Sequence, residues 1–173
     1  MLNTHKVALM GVLIAATIVI AIIETYIPSV GIPGIKFGLA NIMILITLYE
    51  LGVGEAIFIS IARVFVIGLS RGTIFSIGFL MSLTGATFSL AIMVLFYLLV
   101  KKFSIIGVSV LGALFHVLGQ IIIAMIFLGS AYVLFYLPII GLSAIITGVL
   151  VGFTAKLVIK TGIIKKQRER YNF

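Results

Sequence analysis

Six apolar stretches, separated by short polar or glycine-rich breaks, run along the chain. They fall at about Lys6–Pro28, Phe37–Tyr49, Glu55–Leu69, Thr73–Val100, Ile105–Leu128 and Tyr136–Ile159. Four are long enough to meet the roughly 20 residues that carry a helix across a bilayer. The second and third are short, and are expected to form a bent or re-entrant pair whose non-helical backbone other helices cover. The break between the first two stretches, ETYIPSVGIPGIKFGLAN from Glu24 to Asn41, carries an acid, two prolines, glycines, a lysine and an amide. Proline and glycine at that density end a helix. An acid at the end of an apolar helix needs a partner, water or a ligand.

Composition fixes the class. Of 173 residues, 63% are hydrophobic and 9% charged, with a mean hydropathy of +1.42. Soluble domains carry roughly 25% charged residues. The reading is an all-α membrane protein with a single transmembrane domain over 1–161 and a basic tail over 162–173, with no room for a soluble domain. The run after Lys6 is too long for a signal-peptide core and lacks a convincing cleavage site, so it is read as the first span.

Charge orients the bundle. With six spans, Lys6, Lys101, Lys102, Lys156, Lys160, Lys165, Lys166, Arg168 and Arg170 share one side, and Lys36 and Arg71 the other. The positive-inside rule places both termini in the cytoplasm. Four of the basic residues lie in the tail, which reads as an anchor beside anionic lipid and not as a nucleic-acid site.

The candidate chemistry is sparse. There is no cysteine and no aspartate, and the acids are Glu24, Glu50, Glu55 and Glu169. Glu50 and Glu55 read as a solvated turn. Without clustered carboxylates there is no Mg²⁺ site of the usual kind, and two distant histidines, His5 and His116, make no zinc site. No metal, no cofactor and no intrinsic catalysis are expected. What remains is a set of binding groups. Arg63 sits inside the third span, where an ionisable group marks either an ion pair, such as one with Glu24, or a site for carboxylate or phosphate. His116 and Gln120, four apart, share a face of the fifth span beside Gly112 and Gly119. Asn41 is placed one turn into the second span, just after Lys36. With Glu24 these residues converge on an outward-facing pocket, which Tyr26, Phe37, Phe65 and Phe115 could also line.

Small residues form ridges: Gly11 and Ala15 with Ala8 and Ala16 in the first span, Ser82, Gly85, Ala86 and Ser89 in the fourth, and Ala144, Gly148 and Gly152 in the sixth. Such ridges serve packing within one bundle or docking of a partner subunit.

The order of motifs resembles a known family. It runs E-x-x-I-P, G-I-K-F-G-L-A-N, L-G-x-x-E-A, the intramembrane Arg63, L-M-S-L-T-G-A-x-F-S, K-K-F-S-I-I-G-V-S-V-L-G-A and H-x-x-G-Q. From Ala8 to about Gly129 the chain resembles the Gx transporter family, also called heptaprenyl diphosphate synthase component I. That family in turn resembles the substrate-binding S components of energy-coupling factor transporters. The resemblance implies a six-helix bundle in a bacterial cytoplasmic membrane, with a first outer loop closing over a small-molecule substrate. It also implies a first helix that docks on a transmembrane coupling subunit driven by two ATP-binding subunits. The nearest match to the A-x-x-x-A docking face is Gly11 and Ala15. On this reading Lys36, Asn41, Arg63, His116, Gln120 and Glu24 contact substrate. The alternative is a membrane accessory to prenyl diphosphate or menaquinone synthesis. Prenyl synthases hold Mg²⁺ through aspartate-rich motifs that this chain lacks.

Overall fold

The computed structural model describes residues 4–24, 26, 38–100 and 103–171. They form helices α1 (Thr4–Glu24), α2 (Asn41–Glu50), α3 (Val53–Ser70), α4 (Ile77–Leu99) and α5 (Ile105–Leu128). A 3₁₀ turn (Ala131–Tyr136), α6 (Leu137–Thr161) and α7 (Ile163–Tyr171) complete the order. Five helices, with the 3₁₀ turn counted as part of the last, are long and apolar enough to cross a membrane, and Asn41–Glu50 is a shorter apolar helix. The protein is a multi-pass all-α membrane bundle of about six helices. The third span is longer than expected: α3 starts at Val53 and has 18 residues. Its first turn holds Glu55, the expected start of the span, which pairs with Lys6 instead of lying in the expected solvated turn.

Local chemistry sets the ends. The Ser76 and Ser104 hydroxyls accept the N–H groups of Phe79 and Gly107 at the starts of α4 and α5. Gly129 and Gly162 close α5 and α6 in the left-handed conformation, where glycine carries no steric cost.

The helices α4, α5 and α6 pack side by side, while α1 and α3 pair and α3 also meets α4. The α4–α5 and α5–α6 seams are backbone contacts. A Cβ at Gly85 would lie 2.8 Å from the His116 carbonyl, one at Gly148 2.7 Å from Val110 Cα, and one at Gly152 2.7 Å from Ile106 Cα. The ridges on α4 and α6 therefore serve packing within the bundle. On α1 a Cβ at Gly11 would meet nothing within 4 Å, and Ala8, Gly11 and Ala15 are all exposed.

Helix α2 fills the centre, against α6, α3 and α1. Its ten residues rise about 15 Å, half of a roughly 30 Å hydrocarbon core. Ile44, Leu45, Ile46 and Leu48 are each at most 1% exposed, so no face of this stretch meets lipid.

Three contacts bring the charged ends together. Lys6 of α1 pairs with Glu55 of α3, and Arg168 of α7 donates to the Glu50 carbonyl at the end of α2, at 2.9 Å. Ile164 of α7 is buried in the same core cluster as α2. Both ends of the described chain thus lie at the α2–α3 turn. At the opposite end Tyr26, Phe75, Tyr132 and Phe135 are strongly exposed, as aromatics are at a membrane–water interface.

Candidate functional site

The site forms where α1 ends and α2 begins. The three residues before α2 are not helical, yet Gly38 and Ala40 are buried. Non-helical backbone at membrane depth must have its polar groups satisfied by protein. Glu24, itself buried at the end of α1, does this. Its Oε1 accepts the N–H of Gly38 and the N–H of Leu39, the latter at 3.1 Å. A carboxylate beside the first turn of a helix also meets the positive end of its dipole. Gly38 has φ +81°, and a Cβ there would come within 3.0 Å of Asn41 Nδ2 and 3.4 Å of His116 Cδ2. Only glycine gives both the conformation and the space.

Asn41 is the first residue of α2, one turn earlier in its helix than expected. The reason is that Gly38 and its bond to Glu24 hold residues 38–40 out of the helix. The Asn41 side chain works in two directions. Its Oδ1 accepts from Arg63 Nη1 at 3.3 Å, and its Nδ2 donates to Ser89 Oγ at 3.0 Å. All three residues are buried, so one amide joins α2, α3 and α4.

Arg63 lies seven residues before the C-terminal end of α3, about 10 Å by helix rise. It forms no ion pair among the described residues, where the pairs are Lys6–Glu55 and Lys165–Glu169. Glu24 and Arg63 instead face one small cavity of about 20 Å³, lined also by Ala21, Val64, Ser82 and His116. By a measure in which one water needs roughly 10–15 Å³, it holds about one water. A larger pocket of about 170 Å³ opens above it, with Arg71, Thr73, Ser76 and Ser82 supplying polar groups and Val64 and Phe79 apolar walls.

Of the residues singled out by sequence, the fold brings Glu24, Asn41, Arg63 and His116 together. Gln120 is fully buried on the same face of α5 as His116, but it lies in the α4–α5 seam against Gly85 and not on the cavity wall. Gly11 and Ala15 are remote, on the exposed face of α1. Lys36 and Phe37 lie outside the described residues. Tyr26, Phe65 and Phe115 do not line the cavity. Sequence reasoning missed Ser89 as a partner of Asn41 and Ser82 as a wall. Their spacing of seven, two turns along one face and flanking Gly85, was the available signal. No cluster of three His, Cys, Asp or Glu able to hold a metal occurs among the described residues.

A family model, described as heptaprenyl diphosphate synthase component I, matches residues 13–158. The chain belongs to the heptaprenyl diphosphate synthase component I family. The matched region contains all of Glu24, Asn41, Arg63, Ser89, His116 and Gln120, and stops before α7. No curated protein and no solved structure matches the chain. A family described as component I of a synthase implies further components. The geometry supplies binding groups, all held by backbone or by one another.

Proposed function

We propose that this component I protein is a non-enzymatic, membrane-embedded substrate-binding subunit of an energy-coupling factor type importer, which captures a small anionic organic solute from outside. The observation that carries this reading is the cationic, amide-held cluster of Arg63 and Asn41 beneath the Arg71 pocket, in the half of the bundle away from the basic ends. Positive-inside charge puts those basic ends, and both termini, in the cytoplasm of a bacterial cell. Lys36, which lies outside the described residues, is read from the sequence as a further contact for the anion. Glu24 contributes by holding the break before α2, and His116 lines the cavity from α5, with Gln120 packed one turn away in the α4–α5 seam. The exposed Gly11–Ala15 face of α1 is the docking face for a transmembrane coupling subunit bearing two ATP-binding subunits.

The test is gentle purification from native membrane, followed by mass spectrometry of released small molecules and of copurifying proteins. An anionic solute and a coupling subunit with ATPases are expected. Absence of both would overturn the reading.

The family name favours a second reading, a membrane accessory of long-chain prenyl diphosphate synthesis. It predicts association with a soluble, aspartate-rich synthase and loss of long-chain product on deletion. Unchanged prenyl products after deletion eliminate it.

A further inference from the structure

Three cavities meet at Val64 of α3. The outer pocket under Arg71 and the small polar cavity share Val64 and Ser82. Val64 also lines a third space, a groove of about 330 Å³ between the two helices. Ile57, Ser60 and Val64 form one wall, and Leu83, Ala91 and Val94 the other. Ile57 is 41% exposed, so the groove opens sideways into the bilayer. From Leu83 to Val94 it runs about 16 Å along α4. Its volume over that length leaves a cross-section of about 20 Å², room for one hydrocarbon chain.

Two polar features separate this groove from ordinary lipid-facing surface. The Thr87 hydroxyl is taken up by the Leu83 carbonyl at 2.8 Å. Ser60 is different. It is 3% exposed and lines the groove, where its hydroxyl can donate to an occupant that brings an acceptor. One turn above, Val64 opens into the pocket where Arg71 makes no ion pair among the described residues. From top to bottom the surfaces read cation and hydroxyls, a single hydroxyl donor, then an apolar trough.

We propose that the ligand of this site is a single-chain amphiphile. Its phosphate or carboxylate head sits under Arg71, an ester-type oxygen accepts from Ser60, and its chain lies in the α3–α4 groove, entered from the outer leaflet. This rests on the substrate-capture reading and names the ligand class for it. Charge complementarity at Arg71 selects an anionic head, and the width of the groove selects one chain.

The experiment uses the full chain in phosphatidylcholine nanodiscs. Saturable binding is measured for radiolabelled 1-oleoyl lysophosphatidate, for 1-oleoylglycerol with the same chain and no phosphate, and for glycerol 3-phosphate. Lysophosphatidate is expected to bind at least about tenfold more tightly than the uncharged lipid, an increment that one charge-assisted contact supplies. Arg71→Gln and Ala91→Phe are each expected to weaken it by about tenfold, and Ser60→Ala by a smaller factor. Arg71 and Ala91 are exposed, so both variants keep the fold. Equal binding of the two lipids, or full binding by Ala91→Phe, overturns the inference, because only annular lipid is then seen. Glycerol 3-phosphate binding that Ala91→Phe leaves intact also overturns it, while leaving capture of a soluble anion standing.

Discussion

Glu24, the last residue of α1, accepts the backbone N–H of Leu39 at 3.1 Å across fifteen positions of chain. With the neighbouring bond from Gly38, this contact fixes where α2 begins, and through α2 it fixes Asn41 against Arg63. An acid expected as a ligand contact is thus the acceptor that holds the break before α2.

Glu24→Ala is expected to lower stability by about 2 kcal/mol or more, since two buried N–H groups lose their acceptor. Glu24→Gln keeps an acceptor oxygen and should lose less. Thermal unfolding in detergent distinguishes the two. Equal losses would mean that charge, and not acceptance, is what matters.

Asn41 and Ser89 are expected to be energetically coupled. Asn41→Ala strands the Arg63 donor as well as Ser89, so its loss should exceed that of Ser89→Ala. A double-mutant cycle is expected to give a coupling of about 0.5 kcal/mol or more, as for residues in direct contact. A coupling of zero would show that the amide turns away from α4.

Glycines on two helices should answer substitution in opposite ways. Gly148→Val drives a side chain into the α5 backbone, and overpacking there costs about 1–3 kcal/mol or prevents assembly. Gly11→Leu meets open space and should change stability by no more than about 0.5 kcal/mol. If α1 docks a coupling subunit, Gly11→Leu should still abolish copurification. A stable Gly11→Leu protein that retains its partners removes the docking face from α1.

Arg168→Ala should release α7. The lost bond to the Glu50 carbonyl is worth about 1 kcal/mol at this exposed position, so the bundle itself remains folded. Trypsin should then cut at Lys165 and Lys166 faster than in the parent protein. Unchanged cleavage would mean that burial of Ile164 alone holds the helix.

Much of the bundle was legible because bilayer helices are long and apolar and their stops are local. The boundaries of α5 follow from Ser104 and Gly129, both readable in place. The start of α2 was not, because the residue that sets it, Glu24, belongs to another helix. Helix α7 read only as a basic tail because its docking rests on one buried isoleucine and one arginine bond to a backbone carbonyl. Arg63 and His116 were visible as costly groups in an apolar run. That Asn41 joins Arg63 to Ser89 is a tertiary fact: the spacing of Ser82 and Ser89 marks a face of α4 but does not say which residue meets it.

Helix α2 has one further consequence. It is a strut with no glycine or proline inside it, touching Arg63 at one end and Arg168 at the other. If a ligand bears on Asn41, the push meets no hinge before Glu50. Helix α2 would then carry it across the half of the bilayer it spans as a single rigid piece, without a relay of rearranging side chains.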